Sequence, residues 1–225
     1  MYRVADLCGG VGISGDGYRN AGMEADCFDI DPGCAKYCPG EFHCLDILTL
    51  TAADLKDYDL VHLAAPCQRW SDMCACRPDL AAQYPDLITP MRPVLDELAE
   101  VYGVPYVIEN VERCSVLRPA RTIMLCGTMW AKELYRHRRI ETGGGLVVPP
   151  LRHPKHVKRA SKAGHWEPGT VMSIAGHVAP IAMARELMGV TRYVPRERLV
   201  EAAPAYYMQY VAEHARAYLS NREAA

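Results

Sequence analysis

The sequence predicts an α/β fold, a mainly parallel sheet crossed by helices and built largely from the first 110 residues. Three observations predict it. Short apolar runs of strand length alternate with amphipathic stretches of helix length. The first run ends in a glycine-rich turn, Asp6-Leu7-Cys8-Gly9-Gly10-Val11-Gly12, and a helical pattern follows it. Later runs also end in residues able to do chemistry, at the carboxyl ends of strands where such sheets bind ligands.

In chain order, strands are expected at 2–7, 25–28, 60–64 and 104–108, with a further short strand just before Asp46. Helices are expected near 15–21, 52–55 and 90–102, as crossovers between parallel strands. Two later strands fall at 123–126 and 139–142, and Gly143-Gly144-Gly145 marks a turn or hinge. Residues 149–180 are rich in Pro, Gly, His and basic side chains with little periodicity, and read as loop or a minimal subdomain. Helices at 179–188 and 203–219 close the chain; Tyr206, Tyr207, Tyr210, Val211 and Tyr218 on the second read as a core stripe. The expected organisation is a core at 1–142, a short basic region at 143–180 and C-terminal helices at 181–225 that pack back on the core.

At 225 residues, half of them apolar, the chain can bury one substantial core. No run approaches the ~20 apolar residues of a membrane span. The N-terminus carries a strand pattern with an acid in it rather than a signal peptide, so a cytoplasmic protein is expected. A monomer is favoured. The ten cysteines are therefore not read as a disulfide framework. Cys8, Cys27 and Cys126 sit in apolar runs as small hydrophobes, and Cys74 and Cys76 read as surface thiols. Cys27, Cys34, Cys38 and Cys44, with His43, lack any Cys-x-x-Cys pair, and no metal site is expected there or elsewhere. His137, His165 and His177 receive no role.

Net charge is −2 but unevenly spread. Residues 1–112 carry 7 Lys/Arg against 19 Asp/Glu, and residues 113–163 carry 12 against 2. Two readings stay open. The basic stretch is the footprint of a polyanion, or it neutralises the acidic first half inside the fold.

The glycine turn lets backbone approach a ligand closely at Gly10 and Gly12. Asp29-Ile30-Asp31, at the end of the second strand, suits hydrogen bonds to ribose hydroxyls, and Asp46 suits an adenine amino group. The dinucleotide glycine spacing is not met and there is no Gly-Lys-Ser/Thr phosphate loop. S-adenosylmethionine, which has no phosphates, therefore fits better than NAD or ATP. Pro66-Cys67-Gln68 presents a candidate nucleophile on a turn after an apolar strand, and Glu109-Asn110-Val111 a candidate acid after another. Together they are the pair needed to activate carbon 5 of a cytosine ring.

In this order the motifs resemble the cytosine-5 DNA methyltransferase family, over nearly the whole chain. Asp6-Leu7-x-x-Gly10-x-Gly12 resembles the cofactor loop, Asp29-Ile30-Asp31-Pro32 the ribose segment and Asp46 the adenine contact. Ala65-Pro66-Cys67-Gln68-Arg69-Trp70-Ser71 resembles the catalytic loop and Ile108-Glu109-Asn110-Val111 the acid motif. Arg136-His137-Arg138 resembles the basic motif that helps hold the cytosine and the catalytic loop. Arg185-Glu186-Leu187-Met188-Gly189 and Glu201-Ala202-Ala203-Pro204-x-x-Tyr207 resemble the closing helices.

The resemblance implies a Rossmann-like S-adenosylmethionine-dependent methyltransferase sheet with flanking helices and a minimal C-terminal subdomain. It also implies methylation of cytosine in double-stranded DNA by way of a flipped base, in a bacterial or phage-infected cell. Cys67, Glu109, Arg138, Arg136 and Asn110 would be catalytic; Asp6, Leu7, Gly10, Gly12, Asp29, Ile30, Asp46 and Pro66 would hold the cofactor. The chain departs from the pattern at Cys8, which replaces an aromatic residue, at Ile13, which replaces a glycine, and in the short region between Arg138 and the closing helices. That shortness keeps two alternatives open: the same chemistry on RNA or a free cytidine nucleotide, and a non-catalytic nucleic-acid-binding module.

Overall fold

The computed structural model describes residues 1–225 apart from 73, 76, 162–164, 175–179 and 225. Cys76, His177 and parts of the expected 143–180 region thus lie outside the described residues. The strands are β1 (Arg3–Leu7), β2 (Glu24–Asp29), β3 (Phe42–Cys44), β4 (Leu60–Leu63), β5 (Tyr106–Asn110), β6 (Thr122–Leu125), β7 (Leu134–Tyr135), β8 (Arg138–Gly143) and β9 (Met172–Ser173). The helices are α1 (Ile13–Asn20), α2 (Ala52–Leu55), α3 (Pro78–Ala81), α4 (Ile88–Val101), α5 (Ile181–Met188), α6 (Arg196–Leu199) and α7 (Ala205–Glu223).

Seven strands form one sheet in the order β3-β2-β1-β4-β5-β8-β6. From β3 to β5 the pairing is parallel, and β8 runs antiparallel between β5 and β6. The winding reverses between β1 and β4, which opens a crevice at their carboxyl ends. The α/β sheet with flanking helices expected from the sequence is present.

Most element ends fall within two residues of expectation. The strand expected at 104–108 starts and ends two residues later, because Glu109 and Asn110 pair with Ile140 and Arg139 of β8 and prolong the ladder. Elements of two to four residues, such as α3, α6 and the β7–β9 pair, are too short to show a period in sequence.

Helices cover both faces. On one, α2 and α4 bury Leu55, Met91, Leu95 and Leu98 against Val61, Leu63 and Ile108. On the other, Tyr18 of α1 and Tyr207, Met208 and Val211 of α7 pack over Val4, Val107 and Ile140. Each such large apolar side chain contributes roughly 1.5–3 kcal/mol by leaving water. The α1–α7 contact depends on Gly17, where a Cβ would lie 2.2 Å from the Ala205 carbonyl oxygen. The C-terminal helix therefore packs back on the first helix.

One buried charge organises the β8 side. Glu141 is fully buried and accepts from Arg92 at 2.6 and 3.2 Å and from the Arg118 backbone N–H at 2.6 Å. Both its oxygens are satisfied, which makes the buried carboxylate tolerable. Cys27 and Cys126 are buried as expected, whereas Cys74 is also buried rather than a surface thiol and Cys8 is only partly covered. Among the described residues no helix is long and apolar enough to cross a membrane.

Candidate active site

The crevice at the switch point is a cavity of about 510 Å³. That is within the ~300–1,000 Å³ common for small-ligand sites. The loop after β1 supplies one wall through Cys8, Gly9 and Gly10. Gly10 has φ 56°, and a Cβ there would meet nothing within 4 Å; Gly9 has no such room, since its Cβ would lie 2.7 Å from Cys27 Sγ. Gly10 thus presents bare backbone toward the opening, held by its N–H donating to Asp29 Oδ2 at 3.0 Å.

Asp29, Ile30 and Asp46 line the same cavity. Asp29 also accepts from the Asp31 N–H at 2.9 Å, and Asp46 caps a 3-10 turn by accepting from the Leu48 N–H at 3.0 Å. Each carboxylate is oriented by backbone and retains accepting capacity. Leu45, Ile47, Leu48 and Leu87 supply apolar surface.

Three of the expected cofactor residues stand behind this wall. Asp6 is buried beneath the loop, with Oδ1 2.8 Å from His62 Nδ1. Leu7 is fully buried in the core. Gly12 caps α1 at φ 78°, and a Cβ there would crowd Pro39 and Cys38. They set the loop's shape rather than its lining.

Pro66, Cys67 and Glu109 line the far end of the cavity. Cys67 begins a 3-10 turn after β4, and Glu109 lies near the end of β5, the neighbouring parallel strand. Asn110 bridges the two: its Nδ2 donates to the Ala65 carbonyl at 2.9 Å. Burial pushes the Cys67 thiol up; the Arg138 cation opposes that, the Glu109 carboxylate adds to it, and Arg136 opposes it more weakly.

Arg138 Nε lies 2.7 Å from Glu109 Oε1, and both side chains are nearly buried. That oxygen accepts no aligned hydrogen bond, so the contact is a close ion pair whose N–H points aside. Arg136 does something different. Its guanidinium donates to the carbonyls of Ala202, Val200 and Ile174, and Tyr207 Oη donates back to the Arg136 carbonyl at 2.7 Å. Burial pushes its pKa down, with Arg138 adding to the effect. Neither Arg136 nor Asn110 lines the cavity; each ties a loop in place.

The C-terminal segment closes the cavity with Arg198, Glu201, Ala202 and Ala203. Glu201–Ala203, expected in a closing helix, instead form the turn between α6 and α7, and nothing in the sequence marks Arg198. Arg198 pairs with Asp31, two residues past Asp29, but a lone Arg-x-Arg at the start of a short helix carries no signal of that partner.

The basic stretch neutralises part of the acidic first half within the fold. Arg113 pairs with Asp72, Arg118 with Asp96 and Arg138 with Glu109, all acids of the first 112 residues. Among the described residues, Arg121, Lys132, Arg152 and Lys155 are exposed and make no ion pair.

No family model and no curated protein matches the chain. Solved structures do share its fold. Dnmt2 methyltransferase of S. pombe superposes with a TM-score of 0.63 at 16% identity, covering 97% of this chain and 99% of that one. A candidate DNA modification methyltransferase encoded within an E. coli prophage gives 0.65 at 12% identity, covering 98% and 100%. The Entamoeba histolytica methyltransferase EhMeth gives 0.62 at 10%, covering 97% and 99%. The chain therefore has the fold of these methyltransferases from end to end.

Proposed function

We propose that this chain transfers a methyl group from S-adenosylmethionine to carbon 5 of cytosine in DNA, through a covalent adduct on Cys67. One observation carries the reading. A cysteine and a carboxylate at the ends of adjacent parallel strands open into one cavity, which also presents two oriented carboxylates and a bare glycine backbone. The cavity suits a phosphate-free adenosine ligand: Asp29 and Asp46 accept hydrogen bonds, and its single lining arginine, Arg198, is already paired. Gly10, Asp29, Ile30, Asp46 and Pro66 would hold it, with Asp6, Leu7 and Gly12 supporting the loop. When bound, S-adenosylmethionine supplies an electrophilic methyl group.

Carbon 5 of cytosine is too weak a nucleophile to take a methyl group unaided. The Cys67 thiolate adds at carbon 6 and makes carbon 5 enamine-like. Glu109 holds a proton at ring nitrogen 3, which stabilises that addition, and Arg138 fixes the carboxyl. Once carbon 5 carries the methyl group, its proton passes to water, the carbon 6–sulfur bond breaks to release the Cys67 thiolate, and the nitrogen-3 proton returns to Glu109. Asn110 and Arg136 act as positioning residues, through the Ala65 carbonyl and the 200–202 segment. A base in a duplex has to be flipped out to reach Cys67, at roughly a few kcal/mol. Exposed Arg121, Lys132, Arg152 and Lys155 support a phosphate-bearing substrate.

Labelled S-adenosylmethionine offered with duplex DNA, RNA or cytidine nucleotides tests the reading. Label on carbon 5 of cytosine in DNA is the expected result. Transfer to RNA or nucleotide alone would replace the substrate and keep the chemistry, an outcome that the short 143–180 region favours. Tight DNA binding with no transfer to anything would leave a binding module.

A further inference from the structure

Cysteine spacing drew attention to Cys27–Cys44, but the ligand atoms that converge lie elsewhere. Cys126, His137, His153 and His156 bring one sulfur and three imidazoles together, with their ligand atoms all within 4.8 Å of one another. They come from three places. Cys126 follows β6, His137 sits between the two arginines before β8, and His153 and His156 lie on the loop after Pro150.

We propose that Cys126, His137, His153 and His156 form a four-coordinate zinc site that fastens the 149–160 loop to the β6–β8 edge of the sheet. Two of the six ligand–ligand edges already have nearly the length a zinc ion needs, and the others are no longer than 4.8 Å. A tetrahedral ion with nitrogens at ~2.05 Å and sulfur at ~2.3 Å sets N···N and N···S edges of about 3.4 and 3.6 Å. Here His137 Nε2 lies 3.1 Å from His153 Nε2, and Cys126 Sγ lies 3.4 Å from His156 Nε2.

The surroundings match a metal site beyond the ligands themselves. His137 Nδ1 lies 2.8 Å from Glu112 Oε2. A carboxylate there keeps the proton on Nδ1 and leaves the Nε2 lone pair facing the cluster, as in carboxylate–histidine–metal arrangements. Thr128 Oγ1 donates to Cys126 Sγ at 3.3 Å, and Tyr135 stacks on His156 with centroids 3.7 Å apart. One thiolate with three imidazoles is a borderline-soft set that suits zinc rather than calcium or magnesium. Four protein ligands leave no open position, so the role is structural. On binding, the ion displaces the proton that the Cys126–His137 pair otherwise holds, and that proton passes to solvent.

A metal-free thiolate–imidazolium pair is the competing account. Burial pushes Cys126 up, but hydrogen bonding with His137 and Thr128 outweighs it and brings the thiol down to about 5. Such a pair accounts for Cys126, His137 and Glu112. In that account His156 hydrogen-bonds to the same sulfur and His153 to His137, so the two accounts part on metal content.

The test is metal content, so it stands whether or not the chain methylates DNA. The full chain is purified without a histidine tag and dialysed against metal-free buffer. About one zinc per chain is expected, falling to background in Cys126→Ser. Cobalt loading should give the intense visible bands of a four-coordinate ion and a thiolate charge-transfer band that Cys126→Ser removes. His153→Ala and His156→Ala alter only exposed loop residues and should lower zinc retention in a protein with unchanged circular dichroism. Glu112→Gln should weaken zinc binding by about 10–100-fold. Zinc at background in the folded wild-type chain, with no cobalt charge-transfer band, would mean a thiolate–imidazolium pair only and would overturn the proposal. So would zinc retained in full by both Cys126→Ser and His153→Ala.

Discussion

The two sides of the sheet build their functional groups in different ways. From β3 to β5 the candidate site is local: a loop follows each parallel strand, and the residues that matter are the first few past its end. Asp29 is fixed by the N–H groups of Gly10 and Asp31, and Asp46 by Leu48 two residues on. From β5 through β8 to β6 the construction is long-range. Arg138 meets Glu109, Arg136 reaches Ile174, Val200 and Ala202, and Cys126 meets three histidines that lie 11 to 30 residues further along the chain. Strand-end loops with backbone caps can be read from a chain, because neighbours in sequence are neighbours in space. Convergence of side chains across distant loops cannot.

The largest effect expected tests the local side. Cys67→Ser should lower methyl transfer by ~10³-fold or more while S-adenosylmethionine still binds by calorimetry; retained turnover would remove Cys67 from the chemistry. On the long-range side, Glu141→Ala leaves Arg92 without its buried partner. It should cost about 3–5 kcal/mol in urea unfolding, and a loss under 1 kcal/mol would show the β8 edge to be loosely held.

Asp29→Ala sharpens the contrast within the cavity. It should weaken S-adenosylmethionine by about 10–100-fold, as one or two charge-assisted hydrogen bonds require. It should leave the Cys126 cluster untouched.

Much of the local side was legible in the sequence. The glycine turn, Asp29, Asp46, Pro66, Cys67 and Glu109 all reach one cavity, since each stands at a strand end and the sheet order brings those ends together. Asp6, Leu7 and Gly12 belong to the same motif, yet side-chain direction alternates along a strand and turns within a loop, so a motif mixes lining with support. Arg136 illustrates the limit on the other side. Its partners are backbone carbonyls, which carry no residue identity and leave no trace in sequence. The charge of residues 113–163 was equally ambiguous, because pairing with Asp72, Asp96 and Glu109 depends on a fold the tally does not contain.

Two smaller effects test how the sides cooperate. Burial raises the Cys67 thiol, so at neutral pH the thiolate is a minority that grows as pH rises toward the thiol's pKa. The single-turnover rate should therefore climb by up to about tenfold per unit from roughly pH 6 to 8. A flat profile would mean that the Arg138 cation already outweighs burial. Lys155→Ala, on the exposed loop, should weaken DNA binding only a few-fold, reduce its salt slope by about 0.9, and leave the rate of a bound complex unchanged.

The seat of α7 on α1 has a consequence in time. Tyr18 and Met208 touch across 190 positions of chain, and Gly17 lets the Ala205 backbone come flush against the first helix. Until that late helix arrives, the apolar face of an early one stays bare. Contacts so distant in sequence slow folding, because a long loop must close before they form. Through that interval the nascent protein exposes a greasy stripe that can stick to its neighbours. Supply of the α7 segment, added as a separate peptide to a chain lacking it, would show whether this last docking step sets the pace of folding.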